Sequence, residues 1–166
     1  MSQVKRVSII ALGLVIAAAS LSAQSTKLVG TWKFNGQKSK MVSGPAPREI
    51  TRTYEDRGNG TYAYTQVTIS AEGARTETRY TAREDGSENE MFRVGPANAL
   101  TPAGTISFVW TDAYSANQTQ TGSGFVVNAV RTLSADGKTL TITIPSNAGQ
   151  LTGAPPPPDV VVFDKQ

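Results

Sequence analysis

The sequence predicts an all-β fold: one antiparallel up-and-down barrel of eight to nine strands behind an N-terminal signal peptide. Three observations predict it. Apolar and polar residues alternate at two-residue spacing in segment after segment. No stretch past the first two dozen residues repeats apolar positions at helical spacing for three turns. The alternating segments are joined by pairs such as Asn59-Gly60, Glu72-Gly73, Asp85-Gly86 and Asp136-Gly137, which suit tight turns. Closure into a barrel is expected because an open meander of this length would leave two unpaired edges.

The leader comes first. Lys5 and Arg6 precede an uncharged apolar run from Val7 to Ala19, and Ala23 offers a small residue for cleavage. The run is shorter than the ~20 apolar residues a membrane-spanning helix needs. Residues 1–23 therefore read as a cleavable signal peptide and 24–166 as the barrel domain. The expected location is periplasmic or secreted, with no membrane span after cleavage.

In the first strand Leu28, Gly30, Trp32 and Phe34 share a face. Gly36 to Pro47 is a loop, in which Pro45 and Pro47 oppose regular structure. Strands follow over Glu49 to Glu55, Thr61 to Ser70 and Ala74 to Arg83; in the last, Thr76, Thr78, Tyr80 and Ala82 oppose Arg75, Glu77, Arg79 and Arg83. Asn89 to Val94 offers a short ninth strand, before a longer loop from Gly95 to Gly104. Ile106, Phe108 and Trp110 alternate with polar partners. Phe125 to Leu133 and then Leu140, Ile142 and Ile144 form a hairpin. Pro145 to Pro158 is a Pro-rich connector to a closing strand, Asp159 to Asp164. The triplets Asn59-Gly60-Thr61 and Asn117-Gln118-Thr119 match a glycosylation pattern but read as turn chemistry.

Composition narrows the chemistry. The chain has 16 cationic and 13 acidic residues; cleavage removes two of the cations and leaves a net charge of +1. The arginines from Arg48 to Arg83 are interleaved with acids, so they form no basic face for nucleic acid. Cysteine and histidine are absent. That removes disulfides, a lipidated cysteine, catalytic triads built on histidine and the Cys/His zinc sets. The acids Glu84, Asp85, Glu88 and Glu90 crowd a turn without the alternating ligand spacing of a calcium loop, and read as solvated. No catalytic residue, metal site or cofactor is expected, and the protein is read as a monomer without enzymatic activity.

The segment Leu28-Val29-Gly30-Thr31-Trp32-Lys33-Phe34-Asn35 resembles the opening strand of the calycin superfamily, the lipocalins and fatty-acid-binding proteins, with its Gly-x-Trp signature. With Lys38-Ser39-Lys40, Gly44-Pro45-Ala46-Pro47, Thr51-Arg52-Thr53-Tyr54-Glu55, Ser134 to Thr141 and the closing Val162-Phe163-Asp164-Lys165-Gln166, the chain is similar to exported bacterial lipocalin-like proteins of unknown function. The resemblance implies that Trp32 packs across the closed end of the barrel beneath a cationic side chain, for which Arg131 is the candidate. Gly30, Trp32 and Arg131 are thus the structural signature it implies. The loop Gly36 to Pro47 is too rich in proline and glycine for lid helices, and the C-terminal helix of lipocalins has no counterpart.

Aromatic residues occupy nearly every strand, which suits both a filled core and a ligand cavity. Arg52 shares a face with Ile50 and Tyr54, and an inward arginine asks for a buried carboxylate or an acidic ligand group. The expected function is non-covalent binding of a small apolar or amphipathic ligand, lined by Arg52, Tyr54, Tyr64, Tyr80, Phe108, Trp110 and Phe125. The alternative is a cell-envelope interaction module, a solid barrel whose Pro-rich loops contact a protein partner.

Overall fold

The computed structural model describes residues 27–146 and 156–166. The expected signal peptide, residues 1–23, and most of the Pro145 to Pro158 connector lie outside the described residues. Ten antiparallel strands close into a barrel: β1 (Gly30–Phe34), β2 (Glu49–Gly58), β3 (Thr61–Ile69), β4 (Arg75–Arg83), β5 (Asn89–Val94), β6 (Leu100–Trp110), β7 (Ser115–Gly122), β8 (Phe125–Leu133), β9 (Thr139–Ile144) and β10 (Asp159–Lys165). Each strand pairs with its sequence neighbours, and β1 closes on β10 through Trp32 opposite Lys165 and Phe34 opposite Phe163.

Ten strands correct the expected eight to nine. The strand missed is β7, Ser-Ala-Asn-Gln-Thr-Gln-Thr-Gly, whose single apolar side chain is Ala116. Its Asn117-Gln118-Thr119 is mid-strand rather than a turn. The expected loop from Gly95 to Gly104 is likewise shorter than read, because a 3-10 turn at Pro96–Asn98 leads directly into β6. Pro102 is tolerated within that strand because the register against β5 shifts between Met91 and Phe92, as at a bulge. Gly36 to Pro47 is also more tied down than its prolines suggest: Lys40 bridges Val160, and the Asp159 carboxylate accepts hydrogen bonds from the Val42 and Ser43 amides.

One end of the barrel is packed shut. Trp32 is fully buried there and donates its indole N–H to the Leu28 carbonyl at 2.7 Å. Leu28 itself precedes β1 and plugs the end rather than extending the strand's inner face. The cation over the Trp32 ring is Lys165, with Nζ 5.2 Å from the centroid, and not Arg131. Register explains the correction, since Trp32 and Lys165 are direct cross-strand partners, which places Lys165 within cation–π reach.

Gly104 flanks Ala103, the extra residue of the bulge on β6. Its φ of +120° is open to glycine and strained for other residues, and a Cβ there would run into the Thr121 carbonyl oxygen. Gly104→Ala should therefore lower the unfolding free energy by roughly 2 kcal/mol or more, measured by chemical denaturation; an unchanged midpoint would refute this close β6–β7 approach.

Candidate functional site

Inside the barrel, alternate residues of every strand point at one another, and their chemistry changes along the axis. Toward the closed end stand Tyr54, Tyr62, Phe108, Leu133, Leu140 and Phe163, all buried. Among them lies an ion pair between Arg131 of β8 and Glu84, the residue after β4, with both side chains almost wholly excluded from solvent. Glu84 also accepts hydrogen bonds from the Tyr62 hydroxyl at 2.8 Å and the Trp110 indole N–H at 2.5 Å. The Arg131 guanidinium stacks 4.2 Å from the Phe108 ring centroid and 5.6 Å from that of Trp110. Burial alone would lower the Arg131 pKa, but the adjoining Glu84 carboxylate outweighs it and holds the group well above its usual value. Three donors, one of them the stacked Arg131 cation, thus satisfy a carboxylate that would otherwise be very costly to bury.

Above this cluster the packing opens into a cavity of about 550 Å³. Its wall includes Arg52, Tyr64, Gln66, Thr78, Tyr80, Met91, Arg93, Ile106, Gln118, Gln120, Phe125, Val127, Ala129 and Ile142. The mouth lies toward the end where Gly95 and Ser123 also belong to the wall. Among the described residues no aspartate or glutamate lines it. Tyr64 and Tyr80 stack with centroids 4.3 Å apart, and the Tyr64 hydroxyl donates to Gln66 Oε1 at 2.7 Å.

Arg52 is the anomaly of this wall. Its guanidinium lies 4.2 Å from the Phe163 centroid, and none of the ion pairs among the described residues involves it; its Nε has no hydrogen-bond partner, which is equally true of Arg131 Nε. The protein surrounds it closely, yet it keeps some accessible surface because it borders the cavity. Its ionisable neighbours are the phenols of Tyr64, Tyr54 and Tyr80. Burial works to lower its pKa, the phenols offset this, and the net direction is upward, so the side chain stays cationic.

Of the residues proposed from sequence to bind ligand, Arg52, Tyr64, Tyr80 and Phe125 line the cavity. Tyr54, Phe108 and Trp110 instead surround the Arg131–Glu84 pair or pack in the core beside it. Glu84 was missed altogether, since it read as part of a solvated acidic turn. Its signal was available: continuing the inward set Thr76, Thr78, Tyr80 and Ala82 by two residues reaches Glu84. Gln118 and Gln120 were missed with their strand. Among the described residues no group of three acidic side chains is arranged to hold a metal ion, and no helix is long and apolar enough to cross a membrane. The sequence matches no protein-family model and no curated protein.

The buried phenols give this site a pH signature. Burial raises the pKa of Tyr62, Tyr64 and Tyr80 above the ordinary value of about 10, because it disfavours the phenolate. A raised folded-state pKa contributes stability that is complete below pH 10 and is lost as the pH climbs above it, where the unfolded chain ionises freely. Tyrosinate absorbance from these three residues should therefore appear together with the loss of β-sheet circular dichroism. Their ionisation in an intact barrel would contradict the burial described.

Proposed function

We propose that this chain is an exported, lipocalin-like binding protein that holds a small amphipathic molecule non-covalently in its barrel. The observation that carries the reading is the cavity with a charged, ion-pair-free Arg52 on its wall. A volume of about 550 Å³ lies within the usual ~300–1,000 Å³ of small-molecule sites. Its lining supplies the mixture such sites use: apolar Met91, Ile106, Val127 and Ile142 for burial, and a few polar groups for orientation. The calycin affiliation rests on the first-strand signature of Gly30 and Trp32, on the up-and-down order of the strands, and on a cation over the Trp32 ring.

The reading needs no catalytic group and no cofactor. A single occupant, held by burial and one or two charge-assisted hydrogen bonds, suits a protein acting as a carrier or scavenger outside the cytoplasm. A second reading, docking to an envelope protein, is favoured by the exposed Val109 and Val130, which flank Asn117 on the outer face of β6, β7 and β8.

Native mass spectrometry of the protein purified from its own cell envelope should show one small molecule per chain. Ala129→Phe, which fills the cavity from β8, should abolish that adduct while costing roughly 1–3 kcal/mol of stability. A wild-type protein free of any adduct, or an adduct that survives in the folded variant, would sink the proposal.

A further inference from the structure

The ring order of the strands gives the cavity two perpendicular characters. In a closed ring of ten, β2 and β7 face each other across the interior, as do β4 and β9. The β2 wall contributes the Arg52 guanidinium, which none of the ion pairs among the described residues engages. Opposite it, β7 contributes the carboxamides of Gln118 and Gln120, and neither makes a side-chain hydrogen bond to another described residue. Gln66 differs, since its amide is occupied by Tyr64 and Thr68. The other axis is apolar and aromatic: Tyr80 of β4, stacked on Tyr64, faces Ile142 of β9.

A hydrocarbon chain would satisfy the β4 and β9 walls but leave two primary amides without partners once water was displaced, at the full cost of desolvating them. A neutral molecule would leave Arg52 buried without a counter-charge. We propose that the occupant is a compact organic anion, flat or aromatic in its middle and bearing hydrogen-bonding groups at the end away from its charge, of the class of hydroxylated aromatic carboxylates. This rests on the cavity-binding reading above. The anionic group meets Arg52, reinforced by the second cavity arginine, Arg93; the ring lies between Tyr80 and Ile142; and the distal hydroxyls exchange hydrogen bonds with Gln118 and Gln120. The absence of acidic side chains among the described residues of the lining fits this choice of sign.

Isothermal titration of the ligand-stripped protein with caffeate, gallate, their methyl esters and dodecanoate tests it. At least one hydroxylated acid should bind one-to-one and exceed its own ester by about tenfold or more, the scale of a charge-assisted hydrogen bond. Arg52→Gln should erase that difference. The pair Gln118→Leu and Gln120→Leu, introduced together, should weaken the hydroxylated acid and strengthen dodecanoate. Esters binding as well as acids would overturn the anion assignment. Dodecanoate binding most tightly to the wild type, with the glutamine substitutions neutral, would overturn the oxygenated-ring assignment. If no probe binds while native mass spectrometry still finds an adduct, the ligand class is wrong and the cavity reading stands. If neither is seen, both fall.

Discussion

The barrel depends on one buried ion pair. Arg131 and Glu84 come from strands four places apart in the ring, so their contact spans the interior and braces one wall against another at the closed end. Around it Tyr62 and Trp110 spend their polar tips on the same carboxylate, and Phe108 covers the guanidinium. That arrangement makes the lower interior a solid plug of aromatic and ionic groups, although a barrel of ten strands is wider than side chains readily fill. The residual width appears higher up as the cavity.

The two interior arginines divide the molecule's tasks. Arg131 has a carboxylate, two aromatic faces and no exposure to speak of, so its charge is balanced within the fold. Arg52 has an aromatic face in Phe163 and phenols nearby, but no carboxylate. Tyr54 shares a side-chain hydrogen bond with it, but a neutral phenol does not balance its charge. A charge kept on a cavity wall against its desolvation cost is the kind of local inconsistency that marks a functional position rather than a structural one. The same reasoning applies more weakly to Gln118 and Gln120, whose amides make no side-chain hydrogen bond to another described residue.

What could be read from sequence followed the hydrophobic alternation, and what was hidden followed its failure. β6 from Ile106 onward and β9 keep apolar residues at every second position, Ile106, Phe108 and Trp110 in one and Leu140, Ile142 and Ile144 in the other. β7 does not, because Gln118 and Gln120 face the cavity, and the strand that widens the barrel enough to hold it is therefore the one the pattern concealed. Arg52 was legible because it lies between Ile50 and Tyr54 on a clear inner face. The pairing of Arg131 was not: parity places it inside, but its partner lies 47 residues away in sequence, and only the closed ring brings them together. Lys165, at the end of the last strand, gave no sign that it rather than Arg131 would cover Trp32.

The central claim is that the fold balances the charge of Arg131 with Glu84 and leaves the charge of Arg52 for a ligand. Unfolding free energies of the ligand-stripped Arg131→Met and Arg52→Met variants test it most directly. Removing Arg131 abandons a buried carboxylate and should cost about 3–5 kcal/mol, whereas removing Arg52 should be neutral within about 1 kcal/mol or stabilising. Equal and large losses at the two positions would show that Arg52 is a structural group with a partner of its own, and would contradict the account.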